Sequence, residues 1–362
     1  MNEYDDLFDK EIDYNSSNYN SNKGIDKLYE DINLQKRNGI LLMIYILSMI
    51  LFTFLSQVYI DIKYPDKDMI LDNITSVSDP TFGTYDNLDG TTLYTFRYFS
   101  IMKNETGIEL PIVYVDILLT DDDNNSYTLT IEKENIADGE TFFLGSTANI
   151  DFYPTHHEVN IGFDESHYFY VLIGLLPVMV SAIAFLIVDW KAFKYDALRF
   201  KKDFSNHIGT IVIGFIGVWT ALVIASYILS FLGVTDTSEN EMVIKSLFTP
   251  DTFQLILLFS LLCIFTPIAE EVIFRKVIYN FFESKTNYIG GIILSGSVFG
   301  LMHVISYGDF IQAIPYILMG MVFGYIYYKA KKNIFVTIGV HFINNFISFL
   351  VYALGAYGIY NI

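Results

Sequence analysis

The sequence predicts an all-α polytopic membrane protein of about seven to eight transmembrane helices, with a small, mostly-β extracytoplasmic insert. Three observations lead there. Of the 362 residues, 52% are hydrophobic and the mean hydropathy is positive, although the formal net charge is −19. That combination fits apolar spans joined to acidic, water-exposed parts. The acids are also segregated: of 41 Asp and Glu, nine lie in residues 1–36 and twenty-one in 61–167, leaving eleven for 168–362. Finally, apolar stretches of about 20 residues, the length that crosses hydrocarbon, recur along the chain.

Residues 1–38 are acidic and rich in Asn, Ser and Tyr. They lack the basic start and apolar core of a signal peptide, and read as a flexible cytoplasmic tail. A first transmembrane helix is expected at 39–60. Residues 61–167 are too polar to span and are expected to form an extracytoplasmic domain. There, apolar alternation around Pro111–Thr120, an acidic turn at Asp121–Asp123 and renewed alternation from Ser126 predict a β-hairpin. The acidic turn lacks the spacing of an EF-hand and reads as a solvated turn. His156, His157 and Glu158 read as an exposed strand end rather than a metal site.

A second span and a basic cytoplasmic loop fill 168–204. The remaining 205–362 form the helical core, with spans expected at Ile208–Leu232, Thr252 to about Phe282, Tyr288–Ile305, Phe310–Tyr328 and Ile334–Tyr352. Residues 353–362 are left as a short eighth element or an interfacial tail. Basic residues set the orientation. Lys36 and Arg37 precede the first span, Lys191, Lys194, Arg199, Lys201 and Lys202 follow the second, and Lys329, Lys331 and Lys332 follow the sixth. All three clusters fall on one side if the N-terminus is cytoplasmic in a plasma membrane. The acidic exterior argues against nucleic acid as a partner, which needs clustered Lys and Arg. The single cysteine, Cys263, permits no disulfide within the chain.

Two adjacent carboxylates, Glu270 and Glu271, lie inside one of these spans. A carboxylate at bilayer depth costs about 2.5–3.5 kcal/mol on insertion scales, so the pair points to function. Glu271 precedes Arg275 by four residues, the favoured order for a pair on one helix face. Glu270 lies about 100° round the helix and needs a partner on another helix. The turn at 283–287 separates two antiparallel spans, with Glu270 thirteen residues before it and His303 sixteen after it. Both then sit about 20–24 Å from the turn, at matched depth. Phe299 shares a face with His303, and His341 shares one with Asn345. A lone intramembrane His or Asn is often only helix–helix glue; the joint occurrence at one depth is less easily explained that way.

Glu270-Glu271-Val-Ile-Phe-Arg275, Phe299-Gly-Leu-Met-His303 and His341-Phe-Ile-Asn-Asn345 follow one another on separate spans. In motif, order and spacing they resemble the CPBP intramembrane proteases, which include the type II CAAX prenyl endopeptidases and lysostaphin-resistance-like proteins. The resemblance covers about residues 205–352. It implies peptide-bond hydrolysis inside the membrane with no covalent acyl-enzyme, on a membrane-embedded peptide or protein. Glu270 and His303 would bind and activate water. His341 and Asn345 would donate hydrogen bonds to the oxyanion. Glu271, Arg275 and Phe299 would support them. No cofactor is expected. Zinc on two His and a Glu is the alternative, but no HExxH is present. The Asn-, Ile- and Lys-rich usage is that of an AT-rich bacterium.

Two other classes compete. Intramembrane Glu and His also build proton-coupled transporters, although no inverted repeat or paired broken helices are visible. The chain could alternatively be a non-proteolytic scaffold or immunity protein whose insert, 61–167, binds an extracellular ligand.

Overall fold

The computed structural model describes residues 32–86, 94–123, 125–234 and 236–359. The tail expected at 1–38 therefore lies outside the described residues as far as residue 31. From there the first helix, α1, runs Ile32–Lys63, starting before the expected span and ending beyond it. The chain divides into two compact units: Leu55–Tyr170, and the remainder, up to Phe54 and from Val171 onward.

The Leu55–Tyr170 unit is β-rich. After a short helix, α2 (Lys67–Asp72), come β1 (Ile74–Ser76), β2 (Thr81–Asp86) and β3 (Tyr94–Asn104). Four more strands follow: β4 (Leu110–Thr120), β5 (Ser126–Ile136), β6 (Thr141–Ile150) and β7 (His156–Asp164). Every pairing is antiparallel. In one sheet β3 is central, with β6 on one side and β1 and β2 in succession on the other; in the second, β4 lies between β5 and β7. The alternating hairpin pairs Thr120 with Ser126 and Leu110 with Ile136. The inward residues of both sheets meet in one core, with Phe96, Tyr98 and Met102 of β3 facing Val113, Val115, Ile117 and Leu119 of β4. Two sheets covering one apolar layer form a small sandwich. At the β4–β5 turn, the Asp121 carboxylate accepts from the backbone of Asp123 and Asn125 and from the Asn125 amide. The Asn125 amide holds that carboxyl below its ordinary range. His156 faces Asp122 at 3.6 Å, and His157 packs on the Phe82 ring.

The other unit is helical. Its elements are α3 (His167–Val188), α4 (Trp190–Lys202), α5 (Phe204–Phe231), α6 (Glu239–Ser246), α7 (Thr252–Lys285), α8 (Tyr288–Val304), α9 (Ala313–Lys329) and α10 (Ile334–Ala356). Among the described residues six helices are long and apolar enough to cross a membrane: α1, α3, α5, α7, α10, and α9 with the 3₁₀ turn that leads into it. This is a multi-pass membrane protein. The fifth expected span, α8, has 17 residues. At 1.5 Å per residue it reaches about 25 Å, short of a hydrocarbon core of about 30 Å. No separate eighth helix follows among the described residues; α10 continues to Ala356.

Helix α7 departs from regular geometry. It is π-helical over Ser260–Phe265 and again over Val272–Tyr279, with one α-helical stretch, Thr266–Glu271, between. Wide turns of this kind gather at functional sites. Pro267 explains how the first is held. Thr266 donates its backbone N–H to the Leu261 carbonyl, five residues back. The next N–H in that ladder would come from Pro267, which has none, so the Leu262 carbonyl loses its partner. The Asn345 side chain of α10 supplies one, with Nδ2 2.8 Å from Leu262 O.

Candidate active site

The α-helical stretch between the two π segments carries Glu270 and Glu271. Glu271 is fully buried and accepts from Arg275 Nε at 3.0 Å. Arg275 is also fully buried. Its Nη1 donates to Ser295 Oγ on α8 at 3.3 Å, and its guanidinium lies over the rings of Phe299 and Phe323. Phe299 is fully buried and supports both the guanidinium and the His303 ring, whose centroid is 4.5 Å away. The ionic pair is thereby packed between aromatic faces, where cation–π attraction adds to the charge pairing.

Glu271 has a second partner, which the four-residue spacing could not reveal. His341 on α10 places Nδ1 3.0 Å from Glu271 Oε1. The carboxylate can only accept, so the neutral imidazole carries its proton on Nδ1 and leaves Nε2 as a lone pair. That Nε2 lies 3.8 Å from Glu270 Oε2. His303 repeats the pattern: its Nδ1 is 2.8 Å from the Phe299 carbonyl, and its Nε2 is 4.0 Å from Glu270 Oε1. A carbonyl also only accepts, so here too the neutral ring turns a lone pair toward Glu270.

Glu270 is thus met by two imidazole lone pairs, each beyond direct hydrogen-bonding distance and within the span that one water molecule bridges. Its Oε2 is buried with no hydrogen-bond partner. Three electron-pair donors facing one another demand a proton-bearing or cationic guest. Among the described residues, no group of three His, Cys, Asp or Glu is arranged to hold a metal ion. The separations suit a water molecule, and no step below is routed through a metal.

Of the seven residues singled out in the sequence, Glu270, His303 and His341 meet at this point, with Glu271, Arg275 and Phe299 packed behind them. Asn345 sits one helical turn beyond His341, its amide committed to the Leu262 carbonyl. Sequence reasoning missed three contributors. Ser295 lies four residues before Phe299 on the same face of α8, a spacing that could have flagged it. Phe323 stacks on His341 with centroids 4.9 Å apart, and Tyr316 stacks on His303 at 4.6 Å. Neither aromatic stands out from the 27 Tyr and 31 Phe of the chain.

The fold and site together define a multi-pass helical membrane protein with a Glu–His–His cluster among its spans. Residues 252–347 match the family model described as type II CAAX prenyl endopeptidase Rce1-like, and this segment, which holds every member of the cluster, is similar to that family. The chain is also 32% identical over 114 residues to a protein of Bacillus subtilis (strain 168) described as a candidate membrane peptidase, YdiL. That alignment takes in 31% of this chain and 43% of the relative, so the chain spans less than half of the relative's length. No solved structure matches the chain.

Proposed function

We propose that this protein is an intramembrane endopeptidase that hydrolyses a peptide bond of a membrane-associated protein or peptide with water activated by Glu270 and His303. The observation that carries the reading is the convergence of the Glu270 carboxylate and two imidazole lone pairs on one position. A water molecule there donates one proton to Glu270 and is held by His303 Nε2, as general-base chemistry requires. As Glu270 takes the proton, the oxygen adds to the carbonyl carbon. Collapse of the tetrahedral adduct breaks the C–N bond, and Glu270 returns the proton to the departing amine.

The oxyanion needs donors. His341 provides one once its Nε2 lone pair has taken a proton from solvent, with Glu271 accepting from Nδ1 beneath it, as a buried carboxylate supports an imidazolium in other hydrolases. Asn345 Nδ2 keeps one hydrogen beyond the one given to Leu262. Arg275 shares Glu271 and fixes its orientation. We assign no metal to the reaction. The short α8 is taken as a seventh span, with α1 entering from the cytoplasm and residues 61–167 outside the cell, because the basic clusters then share one side. An extracellular ligand of that β-rich unit belongs to the same proposal.

The test uses the intact protein. Cells carrying Glu270→Ala should accumulate uncut membrane peptides that mass spectrometry finds shortened in the wild type. Purified wild-type protein should then cut that accumulated fraction in the presence of a strong chelator. Undiminished cleavage by a folded Glu270→Ala variant would sink the reading, and turnover that tracks stoichiometric zinc would replace Glu270 as sole base with metal chemistry.

A further inference from the structure

Tyr316 and the segment that precedes α7 are not used by the chemistry above, and together they hold the open side of His303. The Tyr316 ring lies nearly parallel to the His303 imidazole, with an interplanar angle of 16°. It covers the face of the ring whose edge is turned to Glu270. The Phe299 ring already packs beside the imidazole, tilted by 45°, and the nearly parallel Tyr316 ring restricts the swing that remains about the Nδ1 hydrogen bond. The hydroxyl of Tyr316 is itself clamped. Ser238 Oγ lies 2.9 Å from it, and Asn240 Nδ2 donates to it at 3.2 Å.

Ser238 and Asn240 belong to the segment 236–251, which contains α6. Ser238 is the N-cap of α6, its side chain accepting from Glu241 N. The segment is pinned along its length to the elements that carry the site. Gln312 Nε2, just before α9, donates to Asp236 O at 2.5 Å. Tyr352 of α10 donates to Glu241, and Phe248 packs edge-on against Tyr352 and tilted against Phe349. Gln254 of α7 donates to Leu247 O at 2.6 Å. Yet α6 buries none of its eight residues. A short helix with no buried residue, tied by polar contacts and by a small apolar patch where Ile244, Leu247 and Phe248 meet Val171 and Leu258, opens at lower cost than the long spanning helices.

We propose that Tyr316 is a positioning residue for His303, and that segment 236–251 is a strap over the site whose attachment, through Ser238 and Asn240, sets that position. The catalytic half of this statement rests on the reading of His303 given above. The strap half does not. When the strap is seated, the hydroxyl clamp holds the Tyr316 ring flat on the imidazole and Nε2 stays aimed at Glu270. When it lifts, Tyr316 loses both partners and His303 loses its plate, so displacing the strap loosens a water-activating group at the same time.

The test uses the full chain in lipid nanodiscs, the peptide fraction that accumulates in Glu270→Ala cells as substrate, and three variants. Tyr316→Leu removes the plate and should lower kcat by about 10- to 100-fold with KM nearly unchanged, the usual cost of misplacing a reacting group by up to 1 Å. Tyr316→Phe keeps the plate and should restore kcat to within about twofold of the wild type on the same reasoning. Ser238→Ala combined with Asn240→Ala should speed amide hydrogen exchange across 239–246 by about tenfold, as loss of local attachments does. The same double variant should shift or broaden the His303 ring signal in ¹³C-histidine NMR, assigned by its loss in His303→Ala, while leaving the His207 signal in place. Unchanged kcat in Tyr316→Leu overturns the positioning role, and unchanged exchange overturns the strap. An unmoved His303 signal in the double variant overturns the coupling between them. If Glu270→Ala still cleaves, the proteolytic reading fails by itself, and the exchange and NMR arms still decide the strap.

Discussion

Gly300→Ala adds one methyl group one turn before His303, and the cost of that change can be worked from the structure. A Cβ built at Gly300 would meet Ile317 N at 2.5 Å and Ile317 Cα at 2.8 Å, both backbone atoms of α9. Ordinary contact begins at 3.4 Å, so α8 and α9 must part by about 0.9 Å locally. Side-chain repacking cannot relieve a clash with backbone, so the shift passes to the helix itself and to His303, three residues on. Overpacking of this kind costs about 1–3 kcal/mol of stability. A displacement near 1 Å at a reacting group costs about 100-fold in rate. The expected outcome is a lower thermal midpoint and a kcat reduced by one to two orders of magnitude in the fraction that remains folded. The assay is initial-rate cleavage of the accumulated peptide fraction, alongside thermal unfolding of the same preparation. Gly209→Ala is the control: nothing lies within 4 Å of its Cβ position, and an exposed helical Gly→Ala gains up to about 1 kcal/mol. Wild-type kcat and stability in Gly300→Ala would refute the claim that close approach of α8 to α9 sets the His303 position.

Two further outcomes follow from buried polar contacts. Asn345→Leu leaves the Leu262 carbonyl without a partner, and an unsatisfied buried acceptor costs about 1–3 kcal/mol; thermal unfolding should show that loss even in an inactive Glu270→Ala background, where no oxyanion role can contribute. Asp189, with a fully buried side chain, pairs with Lys276 on α7 and, at 2.9 Å, with Arg37 on α1. Asp189→Ala leaves the buried Lys276 without its carboxylate and should cost about 3–5 kcal/mol, whereas Asp189→Leu combined with Lys276→Met should recover most of it, read as recovery of the thermal midpoint.

Much of the site was legible because its signals are local or linear. The cost of a carboxylate in an apolar span marked Glu270 and Glu271 with no knowledge of their neighbours. A four-residue spacing put Glu271 beside Arg275, and counting residues from a single turn put Glu270 and His303 at one depth. The β-rich insert was legible for the same reason, since alternation at period two is written along one strand at a time. Other features left no such mark. The first π segment of α7 is held by how its carbonyls are satisfied, and the partner that replaces the missing Pro267 N–H comes from Asn345, 83 residues from Leu262. Likewise α8 reads as a span by hydropathy, yet its 17 residues and its glycine contacts with α9 set it apart from the longer helices.

The sequence by itself determined that this chain crosses a membrane several times, that it carries an acidic β-rich insert, and which acids and histidines lie at one depth. Those properties depend on transfer free energies and helical rise, which are additive along a chain. Only the tertiary structure decided how the histidines are used. His341 is bonded to Glu271 and turns its other nitrogen toward Glu270, His303 is capped by the Phe299 carbonyl and plated by Tyr316, and Asn345 is committed to a carbonyl freed by proline. Tautomer, ring plane and hydrogen-bond partner are set by contacts between helices, and a contact between helices is a property of packing that no single stretch of sequence contains.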